Sequence, residues 1–151
     1  MGEGEKIAAV AERWLGTKFH YAGRVKKNNL NAGGVDCIGL IMKIGEEIGC
    51  QSFGKNIILF DYVSYCRYPN RGEMGEFLNR HFVKIEKKQL RAGDIIYFNF
   101  KNGLEHAAIY SSEDIIHCSA GSRAVVREKI TASWEEKMRG FFRYGNIPNQ
   151  E

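Results

Sequence analysis

Gly33-Gly34-Val35-Asp36-Cys37-Ile38-Gly39-Leu40 is the turning point of the chain. A glycine-rich loop ends there and an apolar helix begins, with Asp36 as its N-cap and Gly49 as its stop. Its apolar positions Leu40, Ile41, Ile44 and Ile48 share one side. Cys37 therefore falls in the first turn of a helix. The unpaired N–H groups and the positive dipole end at that place favour a thiolate, which predicts a thiol pKa drawn toward neutrality. The same amides, that of Cys37 first, can hold a developing oxyanion.

Upstream of this stretch, Ile7, Val10, Ala11, Trp14 and Leu15 recur at helical spacing, and Gly16 closes a first amphipathic helix over 3–15. Residues 16–34 carry four glycines and no sustained period, so they read as a long surface loop. His20 and Tyr21 lie in that loop and are expected to line a cleft beside the cysteine. Downstream, 51–71 is aromatic and irregular, and Tyr62, Tyr65, Tyr68 and Met74 read as core packing. A third short helix is predicted over 72–82, with His81 in a packing or surface role. After Ala92-Gly93-Asp94 the pattern becomes that of strands: 95–100, 106–110, 115–118, 124–127 and 141–144, with a helical turn over 134–138. Helices first and an antiparallel meander afterwards predict an α+β fold. N-terminal helices pack on a C-terminal sheet of about five strands, in a single domain over 1–151.

The composition excludes several function classes. The 151 residues are 44% hydrophobic, 26% charged and 12% aromatic, as in a soluble folded chain. A net charge of +4 is far from a nucleic-acid signature, and Lys26-Lys27 and Lys87-Lys88 read as solvated surface. No apolar run approaches the ~20 residues of a membrane span. The opening Met1-Gly2-Glu3-Gly4-Glu5-Lys6 lacks the pattern of a secretory signal, and Lys6 stands where a myristoylation signal needs Ser or Thr. A protein cytoplasmic as synthesised is expected. Cys37, Cys50, Cys66 and Cys118 show no C-x-x-C pairing, so free thiols are expected, with Cys50 and Cys66 buried and inert.

Two histidines complete the constellation. In a strand starting at His106, residues 106, 108 and 110 share a face, and a turn through Ser111-Ser112-Glu113-Asp114 returns the chain toward His117. Counting back sets His117 opposite His106 or Ala107, with both rings on one face. One imidazole can then take the thiol proton while the other fixes its orientation and tautomer. The assignment is Cys37 as nucleophile, His106 as base and His117 as orienting group, with no cofactor. A zinc site from these residues and Cys118 is disfavoured, because Cys118 points to the face opposite His117.

The text around these residues resembles the NlpC family of peptidoglycan peptidases, a compact papain-like branch of the cysteine hydrolases. Trp14-Leu15-Gly16-Thr17-Lys18-Phe19 resembles the family's GTPY segment, and Gly34-Val35-Asp36-Cys37-Ile38-Gly39-Leu40 its F-D-C-S-G-L nucleophile motif. Leu90-Arg91-Ala92-Gly93-Asp94-Ile95-Ile96-Tyr97-Phe98 is similar to the L-x-x-G-D-L-x-x-F strand. His106-Ala107-Ala108-Ile109-Tyr110 and Ile116-His117-Cys118-Ser119 are similar to the H-V-G-I-Y and I-H-A-S pair. The resemblance implies a papain-like fold, a Cys37, His106, His117 triad and cleavage in the peptide stem of peptidoglycan, commonly between D-glutamate and a diamino acid. Asp36, Ile38, Tyr21 and His20 are the substrate-binding residues it implies, Ile38 standing where many members have a serine and Phe19 where they have a tyrosine. The D-C-[IL]-G-L form and the ending Arg139-Gly140-Phe141-Phe142-Arg143-Tyr144 resemble peptidases encoded with phage and gene-transfer-agent tails, which implies phage-like tail proteins as partners. A tail adaptor of little activity, or an amidase or acyltransferase on another small amide, would carry the same residues.

Overall fold

The computed structural model describes residues 2–148, so Met1 of the opening hexapeptide and 149–151 of the expected domain lie outside the described residues. In chain order the elements are α1 (Glu3–Glu12), the strand pair β1 (Arg24–Val25) and β2 (Gly34–Val35), α2 (Cys37–Ile48), and the small hairpin β3 (Gln51–Ser52) and β4 (Lys55–Asn56). A 3₁₀ turn at Ile57–Phe60, α3 (Glu73–His81) and β5 (Val83–Ile85) follow. The chain then runs through β6 (Ile95–Asn99), β7 (Glu105–Ser111), β8 (Asp114–Cys118), β9 (Val125–Lys129), α4 (Ala132–Lys137) and β10 (Met138–Arg143).

The α+β class with helices on an antiparallel sheet is borne out, and the sheet has six strands in the order β5-β10-β6-β7-β8-β9. The meander β6 to β9 is the predicted one. β10 returns beside β6, and β5 pairs with it at the edge, Phe141 opposite Ile85. β5 escapes sequence reading because only Ile85 of its three residues is buried, which leaves no alternation to see.

Alternation along the strands gives the sheet two different faces. Ile95, Ala107, Ile109, Ile116 and Cys118 join the main core with α1 and α2. Ile96, Phe98, Ala108 and Ile115 form a smaller core on the other face, covered by Trp134 of α4 and Met138. α2 is buried on most of its circumference, Met42 included, so its apolar residues are not confined to one stripe. It begins where the Asp36 carboxylate accepts from the Gly39 amide at 2.8 Å, and it ends at Gly49 in the left-handed region, φ +75°. Gly39 is required by proximity: a Cβ there would lie 2.3 Å from the Gly23 carbonyl oxygen. That close approach seats the first turn of α2 against the preceding loop.

Residues 61–71 form an irregular strap beside that helix end. The strap is pinned at three points: Arg24 to Asp61 at 2.8 Å, the Tyr65 hydroxyl to Asp36, and the Pro69 carbonyl to the Glu105 amide at 2.7 Å. No helix among the described residues is long and apolar enough to cross a membrane.

Candidate active site

The first turn of α2, the strap, the start of β7, the end of β8 and α4 enclose a cavity of about 210 Å³. Cys37 and His106 both line it, with Phe19, Tyr65, Arg67 and Trp134 among the other walls. His117 stands behind His106 with its ring on the same face.

Asp36 holds the turn of Cys37 in place. Its Oδ1 accepts from the Gly39 amide and from Arg24 at 3.2 Å, and its Oδ2 from the Ala22 amide at 2.8 Å and from the Tyr65 hydroxyl. Every lone-pair direction of that carboxylate is thus committed to the chain. Arg24 reaches on to Asp61 and to the Tyr62 carbonyl. Burial works against the Arg24 charge, but Asp61, Tyr65 and Asp36 outweigh it and keep the guanidinium protonated.

The thiol itself departs from the expectation of a lowered pKa. Cys37 keeps part of its surface open to the cavity, yet desolvation and the Asp36 charge push it up to about 12, against the Ala107 and Ile38 amides that lower it. The helix terminus is outweighed first by burial and then by the carboxylate that caps it, one residue away. With its pKa raised, Cys37 rests as a thiol.

The histidine side is neutral as well. Burial and then His117 bring the His106 pKa down to about 3. His106 Nε2 lies 2.9 Å from His117 Nδ1, and His117 Nε2 lies 3.0 Å from Glu128 Oε1. The other oxygen of Glu128 accepts from the Trp134 indole at 2.7 Å. Burial pushes Glu128 up, but the hydrogen bonds from Trp134 and His117 bring it below its usual value, so it is an ionised acceptor. These polarities fix the tautomers: His117 donates from Nε2 and accepts at Nδ1, so His106 donates from Nε2 and keeps a bare Nδ1. The Ala107 amide, next along the chain from His106, points at the Cys37 sulfur.

β7 and β8 pair through Ile109–Ile116, Tyr110–Ile115 and Ser111–Asp114. That register sets His117 beside Ala108, so it meets His106 on the diagonal rather than from opposite His106 or Ala107. Cys118 turns to the other face, its thiol donating to the Val35 carbonyl at 3.3 Å.

The structure separates the implied substrate-binding residues. Asp36 and Ile38 touch the cavity, though Ile38 is only 2% exposed and belongs to the core. Tyr21 lies outside the lining and donates its hydroxyl to the Tyr65 carbonyl, while His20 is exposed with Nδ1 2.9 Å from the Tyr21 carbonyl. Phe19 takes the lining place expected for them, because β-type bridges from Lys18 and Phe19 turn the loop so. Cys66, expected buried, is exposed on the strap, as is Tyr68. Glu128, Trp134, Arg24 and Tyr65 had no motif to announce them. Glu128 could be found only by its alternation with Val126 across from His117 once the β8–β9 register is known.

Residues 16–143 match the family model described as NlpC/P60 family. Among curated proteins none matches. Solved structures share the fold at low identity. An NlpC/P60 family protein from Bacillus cereus is 21% identical with a TM-score of 0.64, over 97% of this chain and 41% of the other, so this chain spans about two fifths of that protein. The NlpC/p60 domain of the peptidoglycan hydrolase SagA is 18% identical with a TM-score of 0.61, over 93% of this chain and 98% of that one. RipD from Mycobacterium tuberculosis, a non-catalytic NlpC/p60 domain protein adapted to peptidoglycan binding, is 17% identical with a TM-score of 0.58, over 95% and 97%.

Proposed function

The chain belongs to the NlpC/P60 family, and from that premise we propose that it is a cysteine peptidase acting on the peptide stem of bacterial peptidoglycan. The observation that carries the reading is the relay Glu128–His117–His106, which leaves a bare imidazole nitrogen on the residue that shares a cavity with Cys37.

Both partners rest neutral, so the proton moves as the bond forms. His106 Nδ1 takes the thiol proton while the sulfur bonds to the amide carbon, and the imidazolium is stabilised through His117 by the Glu128 charge. The Asp36 side chain and carbonyl occupy the Gly39 and Leu40 amides, and the Ile38 amide faces the sulfur, which leaves the Cys37 amide for the oxyanion. Collapse of the tetrahedral adduct breaks the C–N bond, the amine departs with the proton from His106, and water then hydrolyses the thioester with His106 as base again. Asp36 acts in this reading as a brace for the nucleophile's turn.

The bond between D-glutamate and a diamino acid is the one the NlpC-like motifs favour, and the D-C-I-G-L and closing Arg-aromatic segments support a setting in phage-like tails. A non-catalytic role in binding the same polymer is the second reading, favoured by the high pKa of Cys37. Mass spectrometry of defined stem peptides incubated with the protein and with Cys37→Ala decides between them. Cleavage lost in the variant is expected; binding without cleavage by the folded wild type selects the second reading. Products lacking a cut amide between stem residues point instead to an amidase or acyltransferase.

A further inference from the structure

We propose that Arg67 is a specificity residue that receives a free carboxylate of the substrate inside the cavity. The inference rests on the peptidase reading of that cavity and goes beyond it by assigning the chemistry of a group flanking the scissile amide.

The charges lining the cavity are unequal in what they have left to do. Its carboxylates are Asp36 and Glu105. Asp36 is saturated by Arg24, Tyr65 and two amides. Glu105 accepts from the Gly72 and Gly75 amides at 2.9 and 3.0 Å and from the Tyr97 hydroxyl at 2.5 Å. Neither is available to Arg67, whose guanidinium instead lies 5.5 Å from the Phe19 ring centre and 5.8 Å from that of Tyr68. Aromatic faces attract a guanidinium without consuming its N–H donors, and Arg67 is exposed at the cavity wall, so those donors are open to a ligand. The backbone on either side is anchored, at the Tyr65 carbonyl by the Tyr21 hydroxyl and at the Pro69 carbonyl by the Glu105 amide. A fork of open donors beside an apolar wall of Phe19, Tyr68 and Phe100 selects a planar anion, and a carboxylate is the one that takes two parallel N–H bonds.

The test uses two matched pairs of tripeptides, L-alanyl-γ-D-glutamyl-L-lysine with its glutamyl α-carboxyl free or as the carboxamide, and the same peptide with its C-terminal carboxyl free or amidated. Affinities are measured by calorimetry on Cys37→Ala, and kcat and KM on the wild type, each with Arg67→Gln and Arg67→Lys. The acid of one pair is expected to bind roughly tenfold more tightly than its amide, as a charge-assisted bond implies. Arg67→Gln erases that preference by raising KM for the acid alone, and Arg67→Lys retains part of it. An acid preference unchanged in Arg67→Gln, or a loss equal for acid and amide, overturns the proposal. Cleavage with no acid preference in either pair removes Arg67 and leaves the peptidase standing. An Arg67-dependent preference in binding without any cleavage keeps the Arg67 site and removes the peptidase, and binding of none of the peptides removes both.

Discussion

Beneath Cys37 the side chains carry full charges, with Arg24 set between Asp36 and Asp61 and the Tyr65 hydroxyl closing the group. Behind His106 they are neutral until Glu128, whose side chain is 46% exposed. The first cluster is mostly buried and the second leads out to water. A mostly buried charge cluster fixes geometry, since removing any member strands another charge, and it does so while raising the thiol pKa through Asp36. A neutral chain ending in solvent can instead take up charge transiently, as an imidazolium formed during reaction requires. The turn of Cys37 is braced and the surroundings of His106 are tuned.

Arg24→Met tests the brace and carries the largest effect. It leaves Asp36 and Asp61 facing each other half-buried or buried, and a loss of about 3 kcal/mol in urea unfolding is expected. A change near zero would mean that the cluster holds nothing together. Acidification probes the other cluster. Because the His106 pKa falls from its ordinary 6.5 to about 3 on folding, the unfolded chain gains a proton first as pH drops. The stability contributed by neutral His106 is whole above about pH 6.5 and is lost as pH falls toward 3, at no more than about 1.4 kcal/mol per pH unit. Urea midpoints across this window are expected to fall less steeply in His106→Gln than in the wild type.

Glu128→Gln sharpens the contrast further. A carboxamide has one acceptor where two donors, His117 Nε2–H and Trp134 Nε1–H, now converge, so the tautomer lock is broken. A fall in kcat on the order of tenfold with KM unchanged is expected, with little loss of stability because the carboxylate is largely solvated. Nitrogen NMR of the two histidines should show His106 Nδ1 bare in the wild type and mixed in the variant. The smallest effect is a matter of rate: iodoacetamide at neutral pH should label exposed Cys66 before Cys37. Faster labelling of Cys37 would mean a preformed thiolate and would erase the distinction between brace and base.

Much of this was legible in the residues themselves. Asp36 as cap, Cys37 in the first turn and Gly49 as stop are local facts, fixed by hydrogen bonds three or four residues apart, and the structure has them all. The meander β6 to β9 was readable because its central strands are apolar runs, buried on both faces and bounded by turns. β5 was not, since an edge strand of three residues carries no period. The histidine pair was placed on the correct face, but its register slipped, because a shift by two residues changes partners without changing faces.

The sequence by itself therefore determined the helix that presents Cys37, the face shared by His106 and His117, and membership of the NlpC/P60 family across 16–143. Tertiary structure alone decided that Asp36 is consumed by Arg24 and Tyr65, that Glu128 ends the histidine relay, and that Arg67 enters the cavity while His20 and Tyr21 stay out. These depend on contacts between residues from 11 positions apart, His117 to Glu128, to 48 apart, Phe19 to Arg67. A pKa or a free donor is set by which groups converge in space, and no periodicity in the sequence encodes that convergence.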